Sequence, residues 1–93
     1  FILAADVFAY IGELNTVFQH LSSVATKDTI FVFSTEKCDT GFYLQKSGRF
    51  AHSKTYLENV INQNSWKLVH CITTEIRKER GEWIEGYITF ISR

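Results

Sequence analysis

Apolar positions recur along this chain in two different periods, and the change of period divides it into elements. Phe1-Ile2-Leu3-Ala4-Ala5 is apolar at every position, as in a strand covered on both faces of a parallel sheet, with Asp6 just past its carboxyl end. Leu14, Val17, Phe18, Leu21 and Val24 then recur at helical spacing, while Asn15, Gln19, His20 and Ser23 fill the opposite side. Lys27-Asp28 breaks the pattern, and Ile30-Phe31-Val32-Phe33 follows as a second continuous apolar run of β-prone residues. Strand, helix, strand is a βαβ unit. Its parallel strands open their carboxyl ends on one edge of the sheet, so Asp6 and Ser34-Thr35-Glu36 are expected as neighbours.

From Thr35 to Ser53 neither period holds, and the stretch contains Gly41 and Gly48. It is expected to be a long loop whose Phe42, Tyr43 and Phe50 make it an ordered cover. A second helix is predicted over about Ser53 to Asn64, with Tyr56, Leu57, Val60 and Ile61 as its buried stripe and Thr55 with Glu58 as a capping box. Trp66 to Arg77 and Trp83 to Ile91 are long β-prone stretches around Lys78-Glu79-Arg80-Gly81-Glu82, which predicts an antiparallel hairpin turning at Gly81.

The 93 residues suffice for one compact unit without an internal boundary, and 45% hydrophobic with 15% aromatic residues can fill a core. Ten basic residues balance ten acidic ones. This neutrality removes the usual electrostatic argument for nucleic acid or an anionic membrane, and it favours a small-molecule partner. Cys38 and Cys71 have no CxxC spacing, so reduced thiols in a cytoplasmic protein and no bound metal are expected. The opening apolar run is too short for a membrane span, and it reads as a strand whose preceding sequence is missing.

Three stretches carry a resemblance: Ala5-Asp6-Val7-Phe8-Ala9-Tyr10-Ile11-Gly12-Glu13-Leu14, Phe33-Ser34-Thr35-Glu36, and Gly41-Phe42-Tyr43-Leu44-Gln45-Lys46-Ser47-Gly48-Arg49-Phe50-Ala51-His52-Ser53. With the α/β order and the terminal hairpin, they make the whole chain resemble the class I S-adenosylmethionine-dependent methyltransferases, and in particular a subgroup fused to tetratricopeptide repeats. The resemblance implies the carboxyl-terminal half of a Rossmann-like seven-stranded α/β sheet, residues 1–93 being one partial domain. In that fold the last strand inserts antiparallel between the fifth and sixth. Thr26-Lys27-Asp28-Thr29 stands where the family often has a Pro-Gly-Gly-like turn. The glycine-rich loop and the acidic residue that hold the cofactor in the amino-terminal half have no counterpart, so this piece alone is expected to be inactive.

Methyl transfer from a sulfonium is an in-line displacement in which positioning does most of the work. The resemblance places Asp6, Val7 and Phe8 at the cofactor, S-adenosylmethionine, in the crevice at the strand carboxyl ends. Tyr10, Glu36, Tyr43, Arg49 and His52 are the candidate acceptor-binding residues, and His52 is also the candidate proton acceptor. Each has a plainer reading: Asp6 as a turn residue, Tyr10 packed on the first helix, Glu36 a solvated carboxylate at a strand end, His52 a structural histidine. Cys38 beside His52 is a poor signal for a thiol nucleophile, and His20, His70 and Cys71 are assigned to surface or core. A non-enzymatic interaction module, self-associating through the open edge of the first strand, is the competing class. A nucleotide-binding domain of another kind ranks last, since no glycines form GxGxxG.

Overall fold

A computed structural model of the chain describes residues 2–4 and 7–93, with side chains from Phe8 onward. The elements are β1 (Ile2–Ala4), a 3-10 turn (Val7–Tyr10), α1 (Asn15–Val24), β2 (Ile30–Lys37), β3 (Phe42–Leu44), β4 (Phe50–His52), α2 (Lys54–Gln63), β5 (Lys67–Glu79) and β6 (Glu82–Ser92). The described residues form one mixed sheet in which β3, β4, β2, β6 and β5 are successive neighbours and β1 also pairs with β2. β1 runs parallel to β2, Ala4 opposite Phe33, as the βαβ reading expects. β6 lies antiparallel between β2 and β5, with Ile91 opposite Phe31 and Leu68 opposite Ile91. That insertion is the strand order implied by the resemblance.

The expected loop of residues 35–53 instead contains strand at 35–37, 42–44 and 50–52. β2 runs on to Lys37, and β3 and β4 form a hairpin, Phe42 opposite His52 and Leu44 opposite Phe50. Its turn closes through Gln45 N to Arg49 O and Gly48 N to Gln45 O, both 3.0 Å, with Gly48 at a φ of +86° that favours glycine. β4 pairs parallel with β2, Glu36 opposite Ala51. It therefore continues along the same edge of β2 that β1 leaves after Phe33.

Opposite residues in a ladder share a face, so Phe31, Phe33, Tyr87 and Ile91 point to one side of the sheet. There they meet Phe8, Leu14, Phe18, Leu57, Val60, Ile61 and Trp66 in one core. Phe8, Phe18, Phe31 and Phe33 make tilted or edge-on ring pairs at 5.0–6.3 Å. Two details of the helices differ from expectation. Val24 is exposed at the last turn of α1, and α2 is capped by Ser53, whose Oγ accepts from Tyr56 N at 3.1 Å, not by a Thr55/Glu58 box. Ser53 sits two residues before Thr55 with its backbone extended, which is what a capping hydroxyl needs. The β5–β6 turn is Arg80-Gly81, both with positive φ, as a tight hairpin requires.

Candidate functional site

Glu36 is the centre of the most strongly organised polar cluster. Alternation turns it away from the helix side, yet only 1% of its surface is exposed, which corrects the expectation of a solvated carboxylate. Arg77 grips both of its oxygens, Nε donating to Oε2 at 2.7 Å and Nη2 to Oε1 at 3.2 Å. Arg49 Nε donates to Oε2 at 2.5 Å and Gln45 Nε2 to Oε1 at 2.8 Å. Burial alone raises the carboxyl, but hydrogen bonds from Arg77, Arg49 and Gln45 outweigh it and bring it from 4.5 down to about 2. Glu36 is thus a fixed anion. Arg77, two residues before the end of β5, was not singled out from the sequence; its cue was a basic residue in an otherwise β-prone run, with a bulge between Glu75 and Arg77 that re-aims it.

Arg49 carries the cluster outward. Its Nη1 donates to Tyr10 Oη at 3.3 Å, and its guanidinium lies 5.5 Å from the Tyr10 ring centroid. Tyr10 is 66% exposed, so it does not pack on α1 as its plainer reading had it. Arg49 precedes β4 and His52 ends it, shortly before α2 begins at Lys54.

His52 is fully buried. Its Nε2 faces the carbonyls of Ile11 (2.9 Å) and Gly12 (3.0 Å), two acceptors that assign the ring proton to Nε2. Nδ1 has no hydrogen-bond partner among the described residues. The ring stacks against both Phe42 and Tyr56, centroids 6.2 and 6.0 Å away, and those two rings also meet each other at 5.1 Å. Burial lowers the imidazole below its usual range against the raising influence of the two carbonyls, so the ring is neutral and presents no surface to a ligand. Tyr56 in turn accepts from Leu14 N at 2.9 Å. The hairpin and α2 together therefore grip the 11–14 segment that follows the 3-10 turn.

The other candidates are dispersed. Asp6 lies outside the described residues. Val7 begins the 3-10 turn, and Phe8 is buried with its ring in the core. Tyr43 is exposed on β3. Cys38 is buried with its thiol pushed up by burial, and Sγ donates to the Thr40 and Gly41 carbonyls at 3.5 and 3.6 Å, the state of an unreactive thiol. No helix among the described residues is long and apolar enough to cross a membrane.

This arrangement has the Rossmann-like α/β fold of class I S-adenosylmethionine-dependent methyltransferases. A SAM-dependent methyltransferase from Methanosarcina mazei superposes with a TM-score of 0.77 at 9% identity, covering 98% of this chain and 57% of its own. A Listeria monocytogenes protein assigned to the same class gives 0.68 at 12% identity, over 99% of this chain and 61% of its own. The 1,6-didemethyltoxoflavin-N1-methyltransferase of Burkholderia thailandensis, solved with 1,6-didemethyltoxoflavin and S-adenosylhomocysteine, gives 0.64 at 12% identity, over 97% of this chain and 43% of its own. The chain thus spans between 43% and 61% of the length of these structures. No family model matches the sequence, and no curated protein matches it.

Proposed function

We propose that this chain is the carboxyl-terminal half of an S-adenosylmethionine-dependent methyltransferase domain and forms the acceptor side of its site. The observation that carries the reading is the antiparallel β6 between β2 and β5 beside a parallel β1–β2 pair, a strand order shared with methyltransferases over nearly the whole chain. The cofactor would supply an electrophilic methyl group on a sulfonium. The backbone of Val7 and Phe8, with Asp6, would border it just past the carboxyl end of β1.

The chain's own side chains position more than they transfer protons. Tyr10 and Arg49 present a ring and a guanidinium to a small-molecule acceptor, and Tyr43 stands on the neighbouring hairpin. Glu36 and Arg77 fix Arg49, and His52 fixes the carbonyls just after Tyr10. A carboxyl near 2 is a weak base and a buried imidazole is out of reach, so His52 acts here as a positioning residue and the rate comes from alignment.

The test is calorimetric titration of S-adenosylhomocysteine into the full polypeptide that carries this chain, its Asp6→Ala variant, and residues 1–93 alone. Binding by the first, weakening in the second and loss in the third is the expected result. No binding by a folded full polypeptide overturns the reading and favours an interaction module. For the isolated chain we also infer self-association through the free edge of β1, which among the described residues pairs only with β2. Sedimentation should show concentration-dependent mass, and a strict monomer at high concentration refutes it.

A further inference from the structure

β6 extends past the end of its ladder with β2. The last registered pair is Glu36 with Gly86, so residues 82–85 overhang beyond it. On the other flank, β4 stops beside Lys37 and the chain turns through 38–41 into β3, Cys38 N donating to His52 O at 3.3 Å. The two hairpins thus stand apart at the carboxyl end of β2 and border an open notch of about 590 Å³. This lies within the roughly 300–1,000 Å³ typical of small-molecule sites.

The lining is unusual in two respects. Tyr43 and Trp83, one from each hairpin, border the notch with 53% and 56% of their surfaces exposed. Of the three charged residues that line it, Lys37 and Glu85 pair with each other at 3.4 Å, while Asp39 makes no ion pair among the described residues. Aromatic rings together with an uncompensated carboxylate select a cation, which gains from ring quadrupoles without needing directed hydrogen bonds. Trp83 already attracts one: Lys78, outside the notch lining, places its Nζ 5.7 Å from the ring centroid.

We propose that this notch binds a small organic ammonium, with Trp83 and Tyr43 contacting its alkyl groups and Asp39 balancing its charge. The notch shares Tyr43 with the acceptor side proposed above but none of the Glu36 cluster, and ammonium binding there requires neither cofactor nor methyl transfer, so it is tested separately from that function.

Choline and its neutral isostere 3,3-dimethylbutan-1-ol differ only in the charged atom and are the probes. The indole N–H signals of the chain distinguish exposed Trp83 from buried Trp66. Choline should shift the Trp83 signal saturably in the millimolar range while leaving Trp66 unmoved, and the alcohol should act at least several-fold more weakly. Asp39→Asn and Tyr43→Ala should each weaken choline by roughly threefold or more, the scale of exposed cation–π and charge contacts. Absence of a saturable shift, equal response to both probes, or unchanged affinity in Asp39→Asn overturns the proposal. Both substitutions are at exposed positions, and the Trp66 signal reports whether the fold is kept.

Discussion

Replacing Glu36 by Gln tests whether the buried carboxylate is a structural anion. In the native protein its carboxyl lies at about 2, against 4.5 for an ordinary glutamate. A folded-state value below the unfolded one means the stabilisation is complete above pH 4.5 and is lost as pH falls toward 2. The separation corresponds to roughly 3 kcal/mol at neutral pH, of which about 2 kcal/mol is gone near pH 3. Glu36→Gln keeps the shape but removes the carboxylate that Arg49 and Arg77, only 15% and 23% exposed, share, while Arg77 retains its contact with Glu79 at 3.6 Å. The expected loss at pH 7 is about 2–4 kcal/mol, the cost of breaking a buried pair from one side. Urea unfolding of both proteins at neutral and acid pH measures it. The gap between them should be large at neutral pH and shrink by more than half near pH 3. A gap that is small at neutral pH, or equal at the two pH values, would refute the view that Glu36 acts as a held anion.

Two further outcomes follow from buried contacts. His52 is neutral when folded because burial depresses its imidazole, whereas the unfolded chain takes up a proton near 6.5; stability should be full above that pH and decline as pH falls below it, and thermal melts of His52→Gln should lack this slope, an equal slope in both proteins counting against it. Gly86→Ala would bring a Cβ within 2.2 Å of the Thr35 carbonyl oxygen, inside the β2–β6 ladder, so the strands must part, and the urea midpoint should drop by an amount equivalent to about 1–3 kcal/mol; an unchanged midpoint would refute that close approach.

What could be read from the sequence was whatever repeats over several residues. The helices, the terminal hairpin and the two apolar strands show long periods, and each lies within a residue or two of its expected place, β2 running four residues further. β3 and β4 have three residues each, too few for alternation to register, and their polar turn looks like loop chemistry. Glu36 was legible as a candidate but not its environment. A carboxylate at position 36 is charged and therefore expected outside; only the fold brings Arg77 to it, 41 residues away along the chain, and Arg49, 13 away. Tyr10 and His52 had the opposite fate, since the more polar of the two is the one sealed in.

These reversals share one cause, the way the β3–β4 hairpin occupies the edge of β2. β1 accompanies β2 only as far as Phe33, and β4 takes over at Glu36, so the segment after β1 must leave the sheet where the hairpin begins. The hairpin then has to hold that segment. It does so from its two ends, His52 binding the Ile11 and Gly12 carbonyls from inside and Arg49 underlying Tyr10 from outside. A Cβ on Gly12 would meet the Phe50 and Phe42 rings at 2.6 and 2.7 Å, so the segment crosses the hairpin at the closest approach a backbone permits. Because Glu36 and Arg77 belong to two other strands and both hold Arg49 through one carboxylate, the outer grip is tied to the sheet as well. Loosening Glu36 should therefore move Tyr10 before it disturbs the core on the other face. That order of events separates a positioning role for the cluster from a merely stabilising one.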